Sequence, residues 1–498
     1  MFSATDVANF LACHHLLTLD RAQAAGQIKK PFFQDPGIEL LRELGARHEQ
    51  AYFRHLVDTQ GLEIAEIPTN VAWAEAVAHT VDALRRGVSV VYQGSFQNGP
   101  WHGRSDFLVR VEKPSVLGPW SYEPVETKLA RSTKAGALIQ LCFYSDLLSQ
   151  IQEVQPDWMH VVLGRDMIPV KYPVEQYIAY YRKIKRDFDT ACKSPATTYP
   201  EPTEHCNVCS WDSLCDKRRR DDDHLSLVAG INRNQRKALA THDVTTIARL
   251  SQLDLAATPK IDGIGKTALL RIHQQARLQV VGRDEGHLVY ELLETNEPDT
   301  GLAALPAPSA GDVFLDLEGD QYAFETGLEY LFGVLTLPEE AAVEPSYESL
   351  WSFDRAEEKK AFEKFITKVM ERWQRHPDMH IYHYAAYEPT AIKRLAGQHA
   401  VCIDEVDQLL RAGIFVDLYR VVRQGVRASV ESYSIKKLEP LYSFKRAVSA
   451  RDSVLALQTF GAALALGDAQ DAGGELLAAI ESYVRLPSPA QISLRVQW

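Results

Sequence analysis

The sequence lacks any apolar run approaching the roughly 20 residues that a membrane-spanning helix needs, which argues against an integral membrane protein of the helical type. The first residues, MFSATDVANFLACHHLLTLD, contain a short apolar stretch. They lack the preceding basic residue and the small-residue cleavage site of a secretory signal. We therefore expect a cytoplasmic location. No internal repeat of fixed period is evident, so a repeat array is not expected.

Cysteine is scarce and odd in number. The chain of 498 residues has seven cysteines, and three of them fall within ten residues. An odd count without a secretory signal argues against a disulfide framework. The clustered cysteines therefore need another explanation, whereas Cys142, Cys192 and Cys402 belong to no such pattern and are expected to be structural.

An excess of positive charge is also missing, since the net charge is −12. This balance alone does not indicate a nucleic-acid partner. The charge is uneven, however, because residues 231–283 contain nine Lys and Arg against three Asp, a local balance of +6. A basic island in an acidic chain is the pattern expected when one module contacts phosphates.

The order of hydrophobic patterns predicts an α/β protein of several domains. Residues 1–225 combine helical patterns with a few strands and predict a small mixed sheet. Residues 226–285 predict short helices joined by turns. Residues 286–311 include a Pro-, Ala- and Gly-rich stretch that is typical of a linker, and residues 312–498 return to an α/β pattern.

Two neighbouring strand patterns carry acidic residues. Asp106 lies in an apolar strand, and about 20 residues later Glu126 and Lys128 form a Glu-x-Lys triplet on a second strand. Side chains alternate along a strand, so Glu126 and Lys128 share a face, and Asp106 can meet both if the strands pair. Two carboxylates suit Mg²⁺ or Mn²⁺. The lysine can orient or help deprotonate an attacking water.

Two helical patterns flank these strands. His48 follows Gly45 by three residues before them, and Gln140 and Tyr144 lie four apart on one helical face after them. In this order the motifs resemble the RecB-like PD-(D/E)XK nucleases, including the CRISPR-associated exonucleases. The resemblance covers residues 1 to about 220. It implies a restriction-endonuclease-like fold, metal binding by His48, Asp106 and Glu126, and catalysis by Lys128.

The clustered cysteines have the spacing C-x2-C-x5-C, formed by Cys206, Cys209 and Cys215, and Cys13 is the best candidate for a fourth ligand. A metal there would close almost the whole domain into a loop and act as a staple. Zinc and iron–sulfur both accept four thiolates. The RecB-like subset with one distant N-terminal cysteine and this spacing binds a four-iron four-sulfur cluster, so the resemblance implies iron rather than zinc.

The basic island contains the sequence IDGIGK at 261–266, the form of a helix-hairpin-helix turn, followed by a helix at 267–279. Gly263 and Gly265 allow close approach of a phosphate, and a helix start attracts anions. Lys266, together with Lys260 and Arg271, can strengthen the contact without reading sequence. We expect a small all-α DNA-binding module here, although a glycine-rich turn can also be only a turn.

A second acidic pattern follows. The strand VFLDLEGD presents Asp316 and Glu318, Glu388 follows a later strand, and Asp417 ends another. These residues resemble the RNase H-like DEDD exonucleases, which implies an RNase H-like α/β domain at 312–498. Such domains normally finish with a Tyr-x-x-x-Asp helix, which is not found after Tyr483. We expect an altered or truncated C-terminus and a second site that is either weakly active or structural.

Together these patterns predict a Mg²⁺- or Mn²⁺-dependent deoxyribonuclease, with exonuclease as the expected mode, in DNA repair, recombination or defence. The expected partners are single-stranded DNA or duplex ends and a separate helicase. Two alternatives stay open. One is a non-catalytic DNA-binding adaptor for that helicase, and the other is an exonuclease that works through the C-terminal acids.

Overall fold

The computed structural model describes most of the chain. The described residues are 1–31, 36–128, 133–163, 167–194, 196–294, 297–320, 323–324, 326–337, 345–442, 456–457, 459–461, 463–464, 469–471 and 473–484. They fall into two compact units, Met1–Asp216 and Lys217–Trp498. The predicted domain boundaries at 225, 285 and 311 remain predictions.

The first unit is built on a six-stranded mixed sheet in the order β1-β2-β3-β4-β5-β6. Neighbouring strands are antiparallel except β1 with β2 and β4 with β5, which are parallel. The strands are β1 Ile64–Glu66, β2 Val90–Asn98, β3 Trp101–Val111, β4 Ser121–Lys128, β5 Trp158–Leu163 and β6 Pro169–Pro173. The helices are α1 Ala4–Ala12, α2 His14–Ala24, α3 Pro36–Arg54, α4 Trp73–Arg86, α5 Ala135–Gln152, α6 Val174–Lys193 and α7 Asp212–Asp221.

Apolar side chains explain why the central strands and α5 lie together. Seven of the eight residues of β4 are buried, and ten of the 18 residues of α5 are buried. Leu108, Tyr122 and Val161 from three neighbouring strands share one core with Leu141 and Leu148 of α5. A strand buried on both faces has room for polar residues only where they find partners, and this describes the end of β4.

The second unit begins with short helices. They are α8 Arg233–Ala240, α9 Ile247–Ser251 and α10 Lys266–Glu285. Leu239, Leu250 and Ile272, one from each helix, pack in a small core with Ile261 and Ile264 of the intervening turn. Asn232 caps α8 in a reciprocal capping box with Gln235, which fixes where that helix begins.

A five-stranded sheet follows in the order β10-β9-β8-β11-β12. β8 is antiparallel to β9 and parallel to β11, and β11 is parallel to β12. The strands of this sheet are β8 Val313–Asp320, β9 Leu328–Thr336, β10 Ser346–Trp351, β11 Ile381–His383 and β12 Phe415–Asp417. Two further strands, β7 Tyr290–Leu292 and β13 Val426–Ala428, lie outside it. The helices are α11 Arg355–Arg375, α12 Tyr387–His399, α13 Ile403–Arg411, α14 Leu418–Gly425 and α15 Ile435–Leu438, and a further helix spans Gly474–Val484.

The segment with the composition of a linker contains regular structure in its described part. β7 pairs with β13 in a two-stranded antiparallel sheet, with Glu291 opposite Arg427. Gln275 of α10 is buried and donates hydrogen bonds to the carbonyls of Ala428 and Val430. The Tyr433 hydroxyl donates to the Gln275 side chain in turn. Buried hydrogen bonds thus join α10 of the helical module to β13 and the segment that follows it.

The described chain is therefore a mixed α/β protein, as the sequence predicts at this coarse level. None of the helices in the described part combines the length and the apolar composition that a membrane span needs.

Candidate functional site

Pairing of β3 with β4 brings the predicted catalytic residues together. Phe107 lies opposite Val125, so Asp106 and Glu126 come next to each other on adjacent strands. The Thr127 backbone N–H and hydroxyl both donate to Asp106 Oδ2, at 2.8 Å each. Lys128 Nζ lies 2.6 Å from Glu126 Oε1. The alternation expected of a Glu-x-Lys strand thus places two carboxylates and one ammonium side by side.

Burial controls the charge of this cluster. Glu126 is 5% exposed, and burial, followed by the nearby Asp106 carboxylate, raises its pKa to about 8. Burial also raises the pKa of Asp106, although the Thr127 hydrogen bonds and Lys128 oppose this. Burial would lower the pKa of Lys128, but Glu126 and Asp106 outweigh it and the pKa is raised. Lys128 is therefore an ammonium at neutral pH, suited to orienting an anion or a water.

The other predicted members of the site lie at different depths. His48 is buried in α3, and its Nε2 lies 3.2 Å from the Val162 carbonyl oxygen. A proton on Nε2 would leave Nδ1 as the nitrogen for a metal. Tyr144 of α5 is buried, and burial followed by Glu126 and Asp106 raises its pKa well above 10. Gln140, one turn earlier, is half-buried.

Three neighbours of the cluster were not predicted as site residues. Glu49, which follows His48, accepts a hydrogen bond from Gln93 Nε2 at 2.5 Å and also binds the Tyr92 hydroxyl. Burial, then Asp106, raises the pKa of Glu49. Gln93 has a φ of +59°, in the left-handed region. The signal in the sequence was the acidic residue Glu49 next to His48, which a motif search for the histidine passes over.

The donor set fits a hard divalent cation. Glu126 Oε2 is buried and has no hydrogen-bond partner among the described residues, and an oxygen in this state is stabilised by a cation. Carboxylate oxygens are the ligands that Mg²⁺ and Mn²⁺ prefer. As placed, no group of three or more His, Cys, Asp or Glu in the described ranges is close enough to hold a metal. The fit therefore rests on donor chemistry and on the unpaired oxygen.

The four clustered cysteines are drawn from three elements. Cys13 joins α1 to α2, Cys209 ends a 3-10 turn that contains Cys206, and Cys215 lies in α7. Cys13, Cys209 and Cys215 pack in one cluster with Trp211, Leu16 and Leu19. Burial raises the pKa of Cys209, and the nearby Cys206 and Cys13 add to this. None of the four forms a disulfide, and thiolate sulfur is a soft ligand that suits zinc or iron.

The glycine-rich turn has an accessible backbone. Gly263 has a φ of +86°, and a side chain on Gly263 or Gly265 would meet open space. Gly265 precedes α10 and offers no side-chain cap, so the N–H groups at the start of the helix point outward without a partner from that residue. Lys260, Lys266 and Arg271 are exposed. An open glycine turn with exposed cationic side chains beside it is suited to binding phosphate.

The strand β8 displays the second acidic pattern. Leu315 and Leu317 pack in the core with Phe362, whereas Phe314 packs on the opposite face with Tyr382. Alternation therefore places Asp316 and Glu318 on the Phe314 face. Tyr387, at the start of α12, has a raised pKa through burial, the neighbouring Glu329 and then Glu318. Glu318 thus lies near the beginning of α12.

The remaining two predicted acids follow β11 and β12, which are parallel, so both lie towards the same edge of the sheet. Glu388 is buried, and its Oε2 has no hydrogen-bond partner among the described residues, with His383 Nδ1 3.6 Å away. Asp417 Oδ1 accepts hydrogen bonds from the backbone N–H groups of Tyr419, Arg420 and Ala385. Asp417 thus caps α14 and anchors the turn after β11.

The C-terminal Tyr-x-x-x-Asp region lies partly within the described residues. The helix Gly474–Val484 reaches the position of Tyr483. Its Glu481 Oε1 accepts hydrogen bonds from Ser349 and Trp351 on β10. Residues 485–498, where a Tyr-x-x-x-Asp pattern would continue, lie outside the described residues.

Comparison with known proteins identifies one part of the chain. No protein of curated function matches the sequence. Residues 313–470, about a third of the chain, match the model of a family described as RNase_H superfamily. This segment begins at the first residue of β8 and contains Asp316, Glu318, Glu388 and Asp417. Residues 313–470 therefore contain an RNase H superfamily domain, as the resemblance of the acidic motifs implied.

Proposed function

We propose that the chain is a Mg²⁺- or Mn²⁺-dependent deoxyribonuclease whose active site is formed by Asp106, Glu126 and Lys128. The observation that carries this proposal is the buried Glu126 carboxylate, which shares one oxygen with Lys128 and leaves the other without a partner. A divalent cation bound there would polarise the phosphodiester and acidify a bound water. The resemblance of residues 1 to about 220 to RecB-like nucleases supports the same chemistry.

The residues of the chain divide the work. Asp106 and Glu126 hold the cation, and Thr127 fixes the Asp106 carboxylate through two hydrogen bonds. Lys128, held as an ammonium by Glu126 and Asp106, orients the water and offsets negative charge on the phosphate. His48 of α3 supplies a ring nitrogen as a further ligand of the cation. Tyr144 of α5 packs over the two carboxylates. Gln140 faces the substrate one turn away from Tyr144.

The other sites take supporting roles in this proposal. The Gly263–Gly265 turn and Lys266 grip the DNA backbone, a single strand or a duplex end. Cys13, Cys206, Cys209 and Cys215 hold a four-iron four-sulfur cluster, with zinc as the alternative. A separate helicase that supplies unwound DNA in repair, recombination or defence completes the proposal.

The test is nuclease activity of the full chain on end-labelled single- and double-stranded DNA with Mg²⁺ or Mn²⁺. Lys128→Ala should lower the rate by about a hundredfold or more, because one preorganised charge at the reacting group is lost. Lys171→Ala, an exposed lysine on β6, should leave the rate unchanged. Equal rates for the wild type and Lys128→Ala would contradict the proposal.

A second candidate, an exonuclease acting through Asp316, Glu318, Glu388 and Asp417, is favoured by the match of residues 313–470 to the RNase H superfamily. The same assay separates the two. If Asp316→Ala abolishes activity and Lys128→Ala leaves it intact, the C-terminal acids are the catalyst. If the chain binds DNA and no condition gives cleavage, the protein is a non-catalytic adaptor.

A further inference from the structure

The first unit contains a cavity of about 460 Å³ that is lined by α1, α2, the end of α6 and the segment after it. This volume lies within the roughly 300–1,000 Å³ that small-ligand sites occupy. Leu17, Ala22 and Ala191 supply apolar surface to it. The described residues that line it include none of those assigned above to a metal, to DNA or to catalysis. The cavity is therefore a separate feature of the first unit.

One wall of the cavity is a pair of stacked rings. The centroids of the Phe10 and His14 rings are 4.2 Å apart, and the ring planes differ by only 5°. Phe10 is buried and also packs edge-on against Phe188, which fixes the inner ring of the pair. His14 is exposed and lines the cavity, so the face of its ring opposite Phe10 is available to a further flat ring. Nucleobases commonly bind to proteins by stacking on aromatic side chains in this way.

A guanidinium is held beside the same cavity. Arg21 Nη1 donates to the carbonyl oxygens of Ala191 and Cys192, at 3.4 and 2.6 Å, in the last turn of α6. The last carbonyls of a helix carry partial negative charge, so they fix the position of the cation. Arg21 Nε and Nη2 have no hydrogen-bond partner among the described residues. A fixed guanidinium with N–H groups to spare suits the oxygens of a phosphate.

Hydroxyl and amide groups complete the polar part of the lining. Thr198 Oγ1 lies 2.8 Å from Thr18 Oγ1 and 2.7 Å from His15 Nδ1, which ties the segment after α6 to α2. Gln27 adds an amide that both donates and accepts. A stacked ring, a fixed cation and neutral hydrogen-bonding groups match the base, the phosphate and the sugar of a nucleotide. An acyl chain would use only the apolar surface and would leave the cation without a partner.

We propose that this cavity binds one nucleotide, with its base stacked on His14 and its phosphate on Arg21. The nucleotide is either a free mononucleotide or one residue of a single strand, because both present the same base and phosphate. The inference goes beyond the proposed nuclease function, since a nucleotide bound here does not depend on cleavage at Asp106 and Glu126.

The test is equilibrium dialysis of the full chain with radiolabelled deoxyadenosine monophosphate, in a chelator that prevents cleavage. His14→Ala should raise the dissociation constant about fivefold or more, because base stacking is lost. Arg21→Ala should raise it about tenfold, because the phosphate loses a charged donor. Ala22→Phe fills the cavity and should remove detectable binding. The control is Gln23→Ala, an exposed position of α2 outside the lining, which should bind like the wild type. Melting curves by circular dichroism report whether each variant is folded.

Competition by unlabelled deoxyadenosine, which has no phosphate, separates the two contacts. The wild type should bind the nucleoside about tenfold more weakly than the nucleotide. Arg21→Ala should bind the two equally, whereas His14→Ala should weaken both. If the wild type binds the nucleoside as tightly as the nucleotide, Arg21 does not hold a phosphate and the inference is wrong.

Competition by a single-stranded hexamer of deoxyadenylate identifies the source of the nucleotide. A hexamer that competes in the wild type, and competes less in His14→Ala, shows that the cavity takes a residue of a strand; competition by the mononucleotide alone shows a free nucleotide. The inference fails if the wild type binds neither, or if His14→Ala, Arg21→Ala and Ala22→Phe all bind like the wild type. Asp106→Asn should leave binding unchanged. A loss as large as that of Ala22→Phe would place the nucleotide at the proposed nuclease site and overturn the inference.

Discussion

Raising the pH should destabilise the first unit in the absence of divalent cations, with Glu126 as the main cause. Burial lifts the pKa of Glu126 in the folded protein to about 8, from an ordinary value of 4.5. The folded state therefore binds this proton more tightly than the unfolded state. The stabilising contribution is complete below pH 4.5, falls as the pH rises, and is lost once the pH passes about 8.

The size of the effect follows from the displacement of the pKa. Each pKa unit corresponds to about 1.4 kcal/mol, so ionising Glu126 removes on the order of 5 kcal/mol of folding free energy. A unit of this size shifts its melting temperature by about 2–4 °C per kcal/mol. We therefore expect a decrease of roughly 10 °C between pH 5 and pH 8.5, steepest at about pH 6 to 7, between the two pKa values, and levelling off above about pH 8.

Differential scanning calorimetry of the full chain in a chelator, from pH 5 to pH 8.5, measures this decrease. Glu126→Gln replaces the titrating group with a neutral amide, so the variant should melt higher than the wild type at pH 8.5. A shallower slope will remain, because burial also raises the pKa of Asp106 and of Glu49. Glu43→Gln, an exposed position on α3, should behave like the wild type.

Adding Mn²⁺ at pH 8.5 should raise the melting temperature of the wild type, because the cation binds the ionised carboxylate of the folded protein. Glu126→Gln should gain much less. Glu126 is not the cause if the wild type and Glu126→Gln lose the same number of degrees between pH 5 and pH 8.5. The same conclusion holds if the variant melts lower than the wild type at pH 8.5.

Three further predictions address the other sites. Lys266→Glu should weaken DNA binding and lower the slope of log affinity against log salt by at least about one, as measured by fluorescence anisotropy at several salt concentrations; an unchanged slope would show that this lysine contacts no phosphate. Cys209→Ser should remove a brown, broad visible absorbance that Cys142→Ser leaves intact, whereas colourless wild-type protein with stoichiometric zinc would reverse the choice of metal. Gln275→Ala should lower the free energy of unfolding by about 2 kcal/mol, because the buried hydroxyl of Tyr433 loses its acceptor. A loss under about 0.5 kcal/mol in denaturant melts would show that the hydrogen bonds of Gln275 do not stabilise the fold.

Local pattern was sufficient for the strands of the first site. Period-two alternation predicts that Glu126 and Lys128 share a face, and in the structure their side chains are 2.6 Å apart. Antiparallel pairing of β3 with β4 was a condition of the prediction, and the register supplies it. The acids of β8 were identified instead by their resemblance to a DEDD exonuclease motif, and they lie in the segment that matches the RNase H superfamily.

Long-range register and backbone strain were beyond the reach of pattern. Glu49 enters the cluster because α3 packs near β4 and because Gln93 adopts a positive φ, and neither fact leaves a mark in local sequence. The linker-like segment contains β7, whose partner β13 follows more than 130 residues later. Asp417 is different, because an Asp immediately before a helix is a common N-cap. A local pattern therefore indicates its capping role.

The two halves of the chain offer different kinds of support for hydrolysis. A family match establishes a fold for residues 313–470, but function depends on the state of its acids. There, one oxygen of Asp417 accepts hydrogen bonds from three backbone N–H groups. Glu388, by contrast, has a buried oxygen without a hydrogen-bond partner in the described part of the chain. Glu126 is in the same condition at the first site, where Lys128 lies beside it. An unpaired buried carboxylate oxygen is costly unless the carboxyl group is protonated or a cation binds it. Measuring whether a divalent cation binds at Glu126, at Glu388 or at both therefore shows whether the chain has one active site or two. The fold of either half does not answer that question.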